Sequence, residues 1–248
     1  MKLSKNIIIR EFLSRKGLNK MESLIIILLI FIVTMILFWV MGTNTKKIKK
    51  MAENDYLNKL TDKYPDNIDI CKSILKMLKN EKVKIEEDKK SGTSLYIAIS
   101  DKIIIANLKN SFTRIQTIAH ECIHSMQDRK VLLFNFFYSN IYLLYFILIS
   151  VLTLFGKIQN TNLQISVLIL MSFVYYIVRA YLENDAMTKA RFLAKKYMVN
   201  NKFITDSQID EVVNEYDKLN LYGIKLTDFS LFFSVMSKVV IYAIIAII

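Results

Sequence analysis

Residues 117–127 read TIAHECIHSMQ and contain the only two histidines of the 248-residue chain. His120 and His124 are four residues apart, a spacing that places both imidazoles on one face of an α-helix, where they can bind the same metal ion. Glu121 points about 100° away around the helix axis, so its carboxylate can reach a water molecule on that ion without being a ligand. The stretch predicts a helix that carries a metal site, and the rest of the chain must position this helix and complete the site.

The composition is typical of a helical membrane protein. Hydrophobic residues make up 53% of the chain, glycine occurs five times and Pro65 is the only proline, which favours helices over long loops. Four apolar runs have about the 20 residues that a helix needs to cross a bilayer. The fourth has Lys238 in its middle, where a charge is costly unless it faces protein or water. We therefore expect a multi-pass protein of the cell membrane with about four transmembrane helices.

The positive charge of the chain suits a membrane surface better than a nucleic acid. The net charge is +12 at pH 7, and lysine and arginine flank the apolar runs, where anionic lipid headgroups attract them. Because the basic residues form no motif with interleaved aromatic residues, we expect the lipid bilayer and no nucleic acid as a partner. Cys71 and Cys122 form no CxxC motif and indicate no disulfide framework. Cys122 is expected to be a small buried thiol.

Charge and apolarity divide the chain into six predicted regions. Residues 1–22 form a basic, amphipathic segment that can lie on the membrane as a short helix. A polar region at 42–130 ends in the metal helix, at 111–127, which Asn110 or Ser111 would cap. The other regions are a transmembrane helix at 23–41, a transmembrane hairpin at 131–182, a polar helical region at 183–225 and a fourth transmembrane helix at 226–248.

The region before the metal helix changes from helical to strand periodicity. Pro65 divides residues 51–80 into two helices, and three short strand-like runs follow at 82–86, 95–99 and 103–106. A helix, a small sheet with an edge hairpin and a histidine-bearing helix occur in that order in zincin cores. The predicted fold class is therefore α+β, mostly helical, with a zincin-like core combined with about four transmembrane helices. In such a core an extended substrate can add to the edge strand.

The metal site needs a third ligand, because catalytic zinc sites use three protein ligands and keep the fourth position for water. With no third histidine in the chain, that ligand should be a carboxylate on the same side of the membrane as the metal helix. The transmembrane hairpin returns the chain to that side just after Leu182, and the first acidic residue there is Glu183. Ala186 and Ala190 lie on the Glu183 face of a helix and would permit close approach to the metal helix. Asp185 is the alternative ligand.

These segments resemble a known family. Residues 120–127, HECIHSMQ, are followed by two spans and then by residues 183–190, ENDAMTKA, and the order is similar to that of the bacterial membrane-anchored neutral zinc metallopeptidases called YugP-like. That family has HExGHAxQ, two spans and a segment similar to E-F-[DN]-A-S-x-[RK]-A, and the similarity covers about residues 103–196. Its members are predicted gluzincins. The resemblance implies one catalytic Zn²⁺ ion, Glu121 as the general base and three zinc ligands, His120, His124 and Glu183.

The motif indicates hydrolysis of peptide bonds at the membrane surface by a zinc metalloendopeptidase. Zinc lowers the pKa of its bound water and polarises the scissile carbonyl, and Glu121 accepts the water proton and passes it to the leaving amine. Arg179 and Tyr181 are candidates for stabilising the transition state and Asp185 for supporting the site, although Arg179 has the alternative role of pairing with the acids that follow it. Thermolysin-like sites orient a histidine with an aspartate four residues after the ligand glutamate. Since Met187 occupies that position, we expect either that another acid orients the histidine or that the site is weaker.

Two other interpretations are compatible with the motif. A non-catalytic, zinc-stabilised membrane scaffold would bind zinc through the same residues and hydrolyse nothing. An intramembrane protease is disfavoured, because residues 110–117 are too polar for a lipid-embedded helix and no later apolar run carries an aspartate ligand. For a surface peptidase, the expected substrates are proteins or peptides associated with the membrane.

The distribution of positive charge bears on the side of the membrane. The ligands force 42–130 and 183–225 onto one side, and their basic residues near the span ends outnumber Lys157, the only one in the loop at 156–162. Residues 1–22 carry six basic residues. This segment lies on the other side of the first transmembrane helix, so its charge argues against a cytoplasmic active site unless the segment lies flat on the membrane. With that segment on the surface, the balance favours a cytoplasmic active site.

Overall fold

The structure is a computed structural model that describes residues 2–41, 45–88, 90–108 and 111–248, with the side chains of 2–19 and 45 outside the description. The described residues form eight helices and three strands, so the protein is mostly helical with one small sheet, as the sequence predicts. In chain order the elements are α1 Lys2–Met41, α2 Thr45–Ala52, α3 Asp55–Thr61, α4 Asn67–Met77, β1 Lys84–Asp88, β2 Leu95–Ile97, β3 Lys102–Ala106, α5 Arg114–His124, α6 Arg129–Leu154, α7 Thr161–Asn201 and α8 Asp206–Ile247.

The chain divides into two compact units. The first unit contains α1, residues 136–178 from α6 and α7, and residues 229–248 from α8. The second unit contains α2 to α5, the three strands, the start of α6 and residues 179–228 from α7 and α8. Three helices, α6, α7 and α8, therefore contribute residues to both units.

Long apolar helices build the first unit. Four of the described helices, α1, α6, α7 and α8, are long and apolar enough to cross a membrane, which is compatible with a multi-pass membrane protein. They expose large apolar side chains such as Leu28, Phe137 and Ile177, as lipid-facing surfaces do. The Lys238 ammonium in α8 lies 5.4 Å from the centroid of the Tyr142 ring. The charge within the fourth apolar run thus faces a protein group, which lowers the cost of placing it there.

In the second unit, the sheet packs against α4 and α5. The strand order is β1-β3-β2, with β3 parallel to β1 and antiparallel to β2. Ile103 and Ile105 of the central strand are fully buried, because alternate residues of a strand point to the same face. They join a core that includes Ile74 of α4 and Ile118 of α5. This order leaves β2 at an edge of the sheet, in contact with α5.

The strands differ in detail from the predicted runs. The β2–β3 pair forms the expected edge hairpin, but β1 begins at Lys84 instead of residue 82. β2 ends at Ile97, two residues early, because the next residues turn toward β3. Asp101 completes that turn in the left-handed region, with φ of 48°, a conformation that aspartate adopts more readily than most residues.

Three helices run through predicted boundaries. The junctions expected at 22/23, 182/183 and 225/226 lie inside α1, α7 and α8. A change from apolar to polar residues does not end a helix, since its backbone hydrogen bonds join residues only four apart, and none of these positions is glycine or proline. The amphipathic face expected for residues 1–22 lies outside the described side chains.

The metal helix is shorter than the predicted 111–127. Its N-cap is Thr113, whose backbone N–H donates to the Ser111 hydroxyl at 3.3 Å in a preceding turn. Ser111 is thus engaged in local hydrogen bonds that compete with capping, and Asn110, the other expected cap, lies outside the described residues. At the other end α5 stops at His124, which leaves Gln127 in the turn that follows.

Candidate metal centre

Both histidines project from the same side of α5. The Nε2 atoms of His120 and His124 lie 3.0 Å apart, with the ring planes at 89° to each other. On the opposite side of the helix, Ala119 and Cys122 are fully buried, so core packing sets the direction in which the histidines point. The Cys122 thiol lies 3.7 Å from that of Cys71, and both are free. The expectation that Cys122 is buried is therefore confirmed.

Glu183 of α7 completes a cluster with the two histidines. Its Oε2 atom lies 3.4 Å from Nε2 of His120 and 3.8 Å from Nε2 of His124. Ala186 and Ala190 on the same stretch of α7 are fully buried in the core that also contains α5 residues. Their small side chains allow α7 to approach closely, as the sequence indicated. The proximity of Glu183 to the histidines is thus a structural fact, whereas its role as a ligand stays a prediction.

The cluster could hold a metal ion, since one ligand atom from each residue lies within 4.8 Å of the others. Zinc binds imidazole nitrogen and carboxylate oxygen at about 2.0–2.2 Å, so tetrahedral angles place neighbouring ligand atoms about 3.3–3.5 Å apart. The observed separations of 3.0, 3.4 and 3.8 Å lie around that value. Two imidazoles and one carboxylate are also a donor set of known catalytic zinc sites. The residues present therefore fit a zinc ion.

Electrostatic interactions within the cluster shift the pKa values of Glu183 and His124 in opposite directions. Burial raises the pKa of Glu183, but hydrogen bonds from the two histidines and the charge of Arg179 outweigh it, so the pKa lies well below its usual range. Burial lowers the pKa of His124, but its hydrogen bond to Glu183 and the negative charge of that residue raise it overall. The site thus holds Glu183 as a carboxylate, the form that can bind a cation.

Arg179 holds the other oxygen of the Glu183 carboxylate. Its Nη2 atom lies 2.6 Å from Oε1 of Glu183, one helical turn away. The side chain of Arg179 is 38% exposed, whereas that of Glu183 is only 13% exposed. With Oε1 engaged by the guanidinium, Oε2 faces the histidines alone. The alternative foreseen for Arg179, a pair with a following acid, is the contact observed.

Gln127 and Asp185 form a second layer behind His124. The Gln127 side-chain oxygen lies 2.8 Å from Nδ1 of His124. Its amide nitrogen donates to the Leu182 carbonyl at 2.8 Å and to the Asp185 carboxylate at 3.0 Å. Asp185 also pairs with Lys189 at 2.6 Å. Sequence reasoning did not assign a role to Gln127, although its position three residues after His124 placed it next to the site.

Glu121 is buried next to the edge strand. Only 5% of the residue is exposed, and burial raises the pKa of its carboxyl group, while the positive charges of His120 and His124 and a hydrogen bond from the Tyr96 backbone N–H lower it. The pKa is raised overall, and a raised pKa makes a carboxylate a better proton acceptor. Glu121 therefore has the surroundings of a general base without belonging to the ligand cluster.

The remaining site candidates lie apart from the cluster. Tyr181 is 63% exposed and has no hydrogen bond among the described side chains. Asp185, the alternative ligand, points to Gln127 and Lys189 and is not one of the three clustered residues. The structure thus brings together His120, His124 and Glu183, with Arg179 and Asp185 behind them.

Comparisons with known proteins give no relative. No family model matches the chain, no curated protein matches it and no solved structure matches it.

Proposed function

We propose that this protein is a membrane-anchored zinc metalloendopeptidase. The observation that carries the proposal is the convergence of His120, His124 and Glu183 beside a buried Glu121. The order of the residues within HECIH and their placement on one helix suit a peptidase site. A metal site of purely structural use would not require a carboxylate next to the first histidine.

The chemistry follows from the residues that surround the site. A zinc ion held by the cluster supplies Lewis-acid chemistry, which activates water and polarises a peptide carbonyl. Glu121 accepts the proton of the attacking water and delivers it to the amine that leaves. Arg179 keeps one carboxylate oxygen of Glu183 engaged, so that Glu183 offers the other to the ion. The edge strand β2 offers backbone groups to which an extended peptide can pair.

A zincin-like core and membership of the YugP-like family belong to the same proposal. Support comes from the order of α4, the sheet with its β2–β3 hairpin and α5, and from Glu183 following two apolar helices. The substrates would be proteins or peptides near the bilayer, because α7 carries both an apolar stretch of membrane-spanning length and Glu183.

The test is zinc content and cleavage of casein or peptides by the detergent-purified protein, for wild type and Glu121→Gln. We expect one zinc ion per chain in both proteins and cleavage by the wild type only. Since general base catalysis contributes about 10²–10⁴-fold, the variant should lose activity by that factor.

The alternative is a zinc-stabilised membrane scaffold without catalysis. It is favoured by one feature, the placement of two ligands on α5 and one on α7, since an ion there would join two helices. Stoichiometric zinc in a wild-type protein that cleaves no peptide would select the scaffold.

A cytoplasmic location of the site is part of the proposal and rests on the charge near the span ends. Thr93 is exposed in the second unit, so Thr93→Cys provides a label position. We expect a membrane-impermeant maleimide to label it only after the cells are permeabilised. Labelling in intact cells would place the site on the outer side. The native cysteines are buried and give little background.

A further inference from the structure

The hydrogen bonds of Gln127 determine which way its amide group points. Two of its three partners can only accept, since they are the backbone carbonyl of Leu182 and the carboxylate of Asp185. The amide NH₂ group must therefore face these two, and the amide oxygen must face Nδ1 of His124, 2.8 Å away. An amide oxygen can only accept.

The orientation of the amide in turn determines the tautomer of His124. Nδ1 must carry the proton that it donates to Gln127, which leaves the lone pair of a neutral imidazole on Nε2. Nε2 is the atom that faces His120 and Glu183. The hydrogen-bond chain thus prepares the nitrogen on the cluster side to bind a metal.

We infer that Gln127 is a positioning residue, which holds His124 in the tautomer and orientation required for zinc, and that Asp185 acts on His124 through this amide. The inference rests on the proposed function, because it assumes that the cluster binds zinc. It also alters the expectation that an acid orients the histidine directly. The acid is one residue further away, and a neutral amide connects it to the imidazole.

An amide suits this position better than a carboxylate. Glutamate at 127 would still accept from Nδ1 of His124, but it would bring a second negative charge to about 3 Å from Asp185. The Leu182 carbonyl and the Asp185 carboxylate would both lose the hydrogen bond from the Gln127 amide. Gln127→Glu should therefore weaken zinc binding, although a carboxylate is ordinarily the stronger partner for a ligand histidine.

Gln127 also joins the two elements that supply the ligands. It follows the last turn of α5, which carries both histidines, and it donates to the Leu182 carbonyl, directly before Glu183 in α7. A single side chain therefore supports one ligand by hydrogen bonding and lies against the backbone of the other. Asp185 is held in place from the far side by Lys189.

The experiment measures the zinc dissociation constant of the full chain in detergent by competition with a chromophoric chelator. The variants are Gln127→Ala, Gln127→Glu, Asp185→Asn and the double variant Gln127→Glu/Asp185→Asn. Loss of a supporting partner typically weakens metal binding about 10–100-fold, and we expect that range for both single changes at Gln127. Asp185→Asn should have a smaller effect, because the asparagine oxygen can still accept from Gln127.

The double variant is the sharpest arm of the experiment. It reverses the polarity of the pair, so that the new amide at position 185 would donate to the new carboxylate at position 127. That carboxylate would still accept from Nδ1 of His124. We expect the double variant to recover part of the affinity that Gln127→Glu loses. A residue that merely stabilises the fold would show no such recovery.

Gln208→Ala is the matched control. Gln208 also uses its side-chain oxygen in a local hydrogen bond, accepting from the Thr205 backbone N–H at 3.1 Å at the start of α8, away from the cluster. Its loss should lower the metal-free melting temperature about as much as Gln127→Ala does and leave the zinc affinity unchanged.

The outcomes separate this inference from the proposed function. Wild-type affinity in Gln127→Ala, or zinc binding by Gln127→Glu as tight as that of the wild type, overturns the role of Gln127. A wild type that binds no zinc overturns both the inference and the proposed function. Weakened zinc binding by the Gln127 variants, in a protein that cleaves no peptide, supports the inference while the peptidase proposal fails.

Discussion

Two polar clusters, one in each unit of the protein, differ in how their hydrogen bonds are completed. In the first unit, the Tyr142 and Ser172 hydroxyls lie 2.8 Å apart, and those of Thr153 and Tyr242 lie 3.0 Å apart. The Thr153 hydroxyl donates to the Ile149 carbonyl and accepts from Tyr242, and one hydroxyl of the Tyr142–Ser172 pair donates to the other. Donors and acceptors are therefore matched within each pair.

The cluster in the second unit has a surplus of acceptors. Nε2 of His124, with its proton on Nδ1, and Oε2 of Glu183 both face Nε2 of His120. With neutral imidazoles, at most one proton, on Nε2 of His120, serves these two acceptors. Such a set leaves acceptors without enough protons to share, which is costly unless a cation or extra protons are present. The comparison teaches that the two sets of side chains suit different purposes. The hydroxyl pairs join apolar helices, whereas the His-His-Glu set could hold a cation.

Glu183→Gln should have the largest effect on the zinc affinity of the His-His-Glu set. An amide oxygen without charge is a much weaker zinc ligand than a carboxylate, so we expect the zinc affinity to fall by more than the about 100-fold that loss of a supporting partner costs. Peptide cleavage should disappear with it. The control is Glu215→Gln, an acid of α8 that pairs with Lys218 on the surface. Equal zinc affinity in the two variants would show that Glu183 is not a ligand.

Removal of zinc should lower the stability of the protein. An ion that binds only the folded state at 100 to 1,000 times its dissociation constant adds about 2.7–4.1 kcal/mol. Melting curves in detergent, with zinc and with chelator, should therefore differ for the wild type. They should coincide for Glu183→Gln. If zinc does not change the melting temperature of the wild type, the cluster has only a structural role, as the hydroxyl pairs have.

Arg179→Gln should have an intermediate effect. It frees Oε1 of Glu183, so the carboxylate can turn away from the histidines, and we expect an about 10-fold loss of zinc affinity, at the lower end of the range for supporting partners. Arg191→Gln is a close match, since Arg191 is also 38% exposed and also pairs with one acid, Asp217. A lower zinc affinity in Arg179→Gln than in Arg191→Gln would support the role of Arg179 in holding the Glu183 carboxylate. Equal zinc affinities in the two variants would argue against that role.

Tyr142→Phe tests the first cluster and should have the smallest effect. It removes the hydroxyl that lies against Ser172, at a cost of about 1 kcal/mol for one hydrogen bond. The melting temperature should fall slightly, while zinc content and cleavage stay unchanged. A loss of zinc in this variant would contradict the separation of purposes between the clusters.

The sequence predicted which residues form the His-His-Glu cluster, but it did not predict the hydrogen bonds that hold these residues in place. Helical spacing alone places His120 and His124 together, and the return of the chain after two apolar runs points to Glu183. Gln127 was missed because its role depends on where α5 ends and how closely α7 approaches. Neither is a property of local sequence.

The extents of the helices were predicted less well than their existence. Apolar runs located α1, α6, α7 and α8, but the predicted regions were divided by polarity, and their boundaries can lie inside a helix, at residue 182 for example. The parallel pairing of β1 with β3 was also out of reach. It depends on contacts between segments that are separated by the whole β2 hairpin, which local periodicity does not report.

X-ray absorption at the zinc K-edge of the purified full chain tests the central claim most directly. We predict one zinc ion per chain, with two imidazole nitrogens and a carboxylate oxygen at about 2.0–2.2 Å. In Glu183→Gln the protein carboxylate should be lost from the coordination shell. A protein without zinc, or a sulfur neighbour at about 2.3 Å from Cys122 or Cys71, would contradict the His120, His124 and Glu183 site.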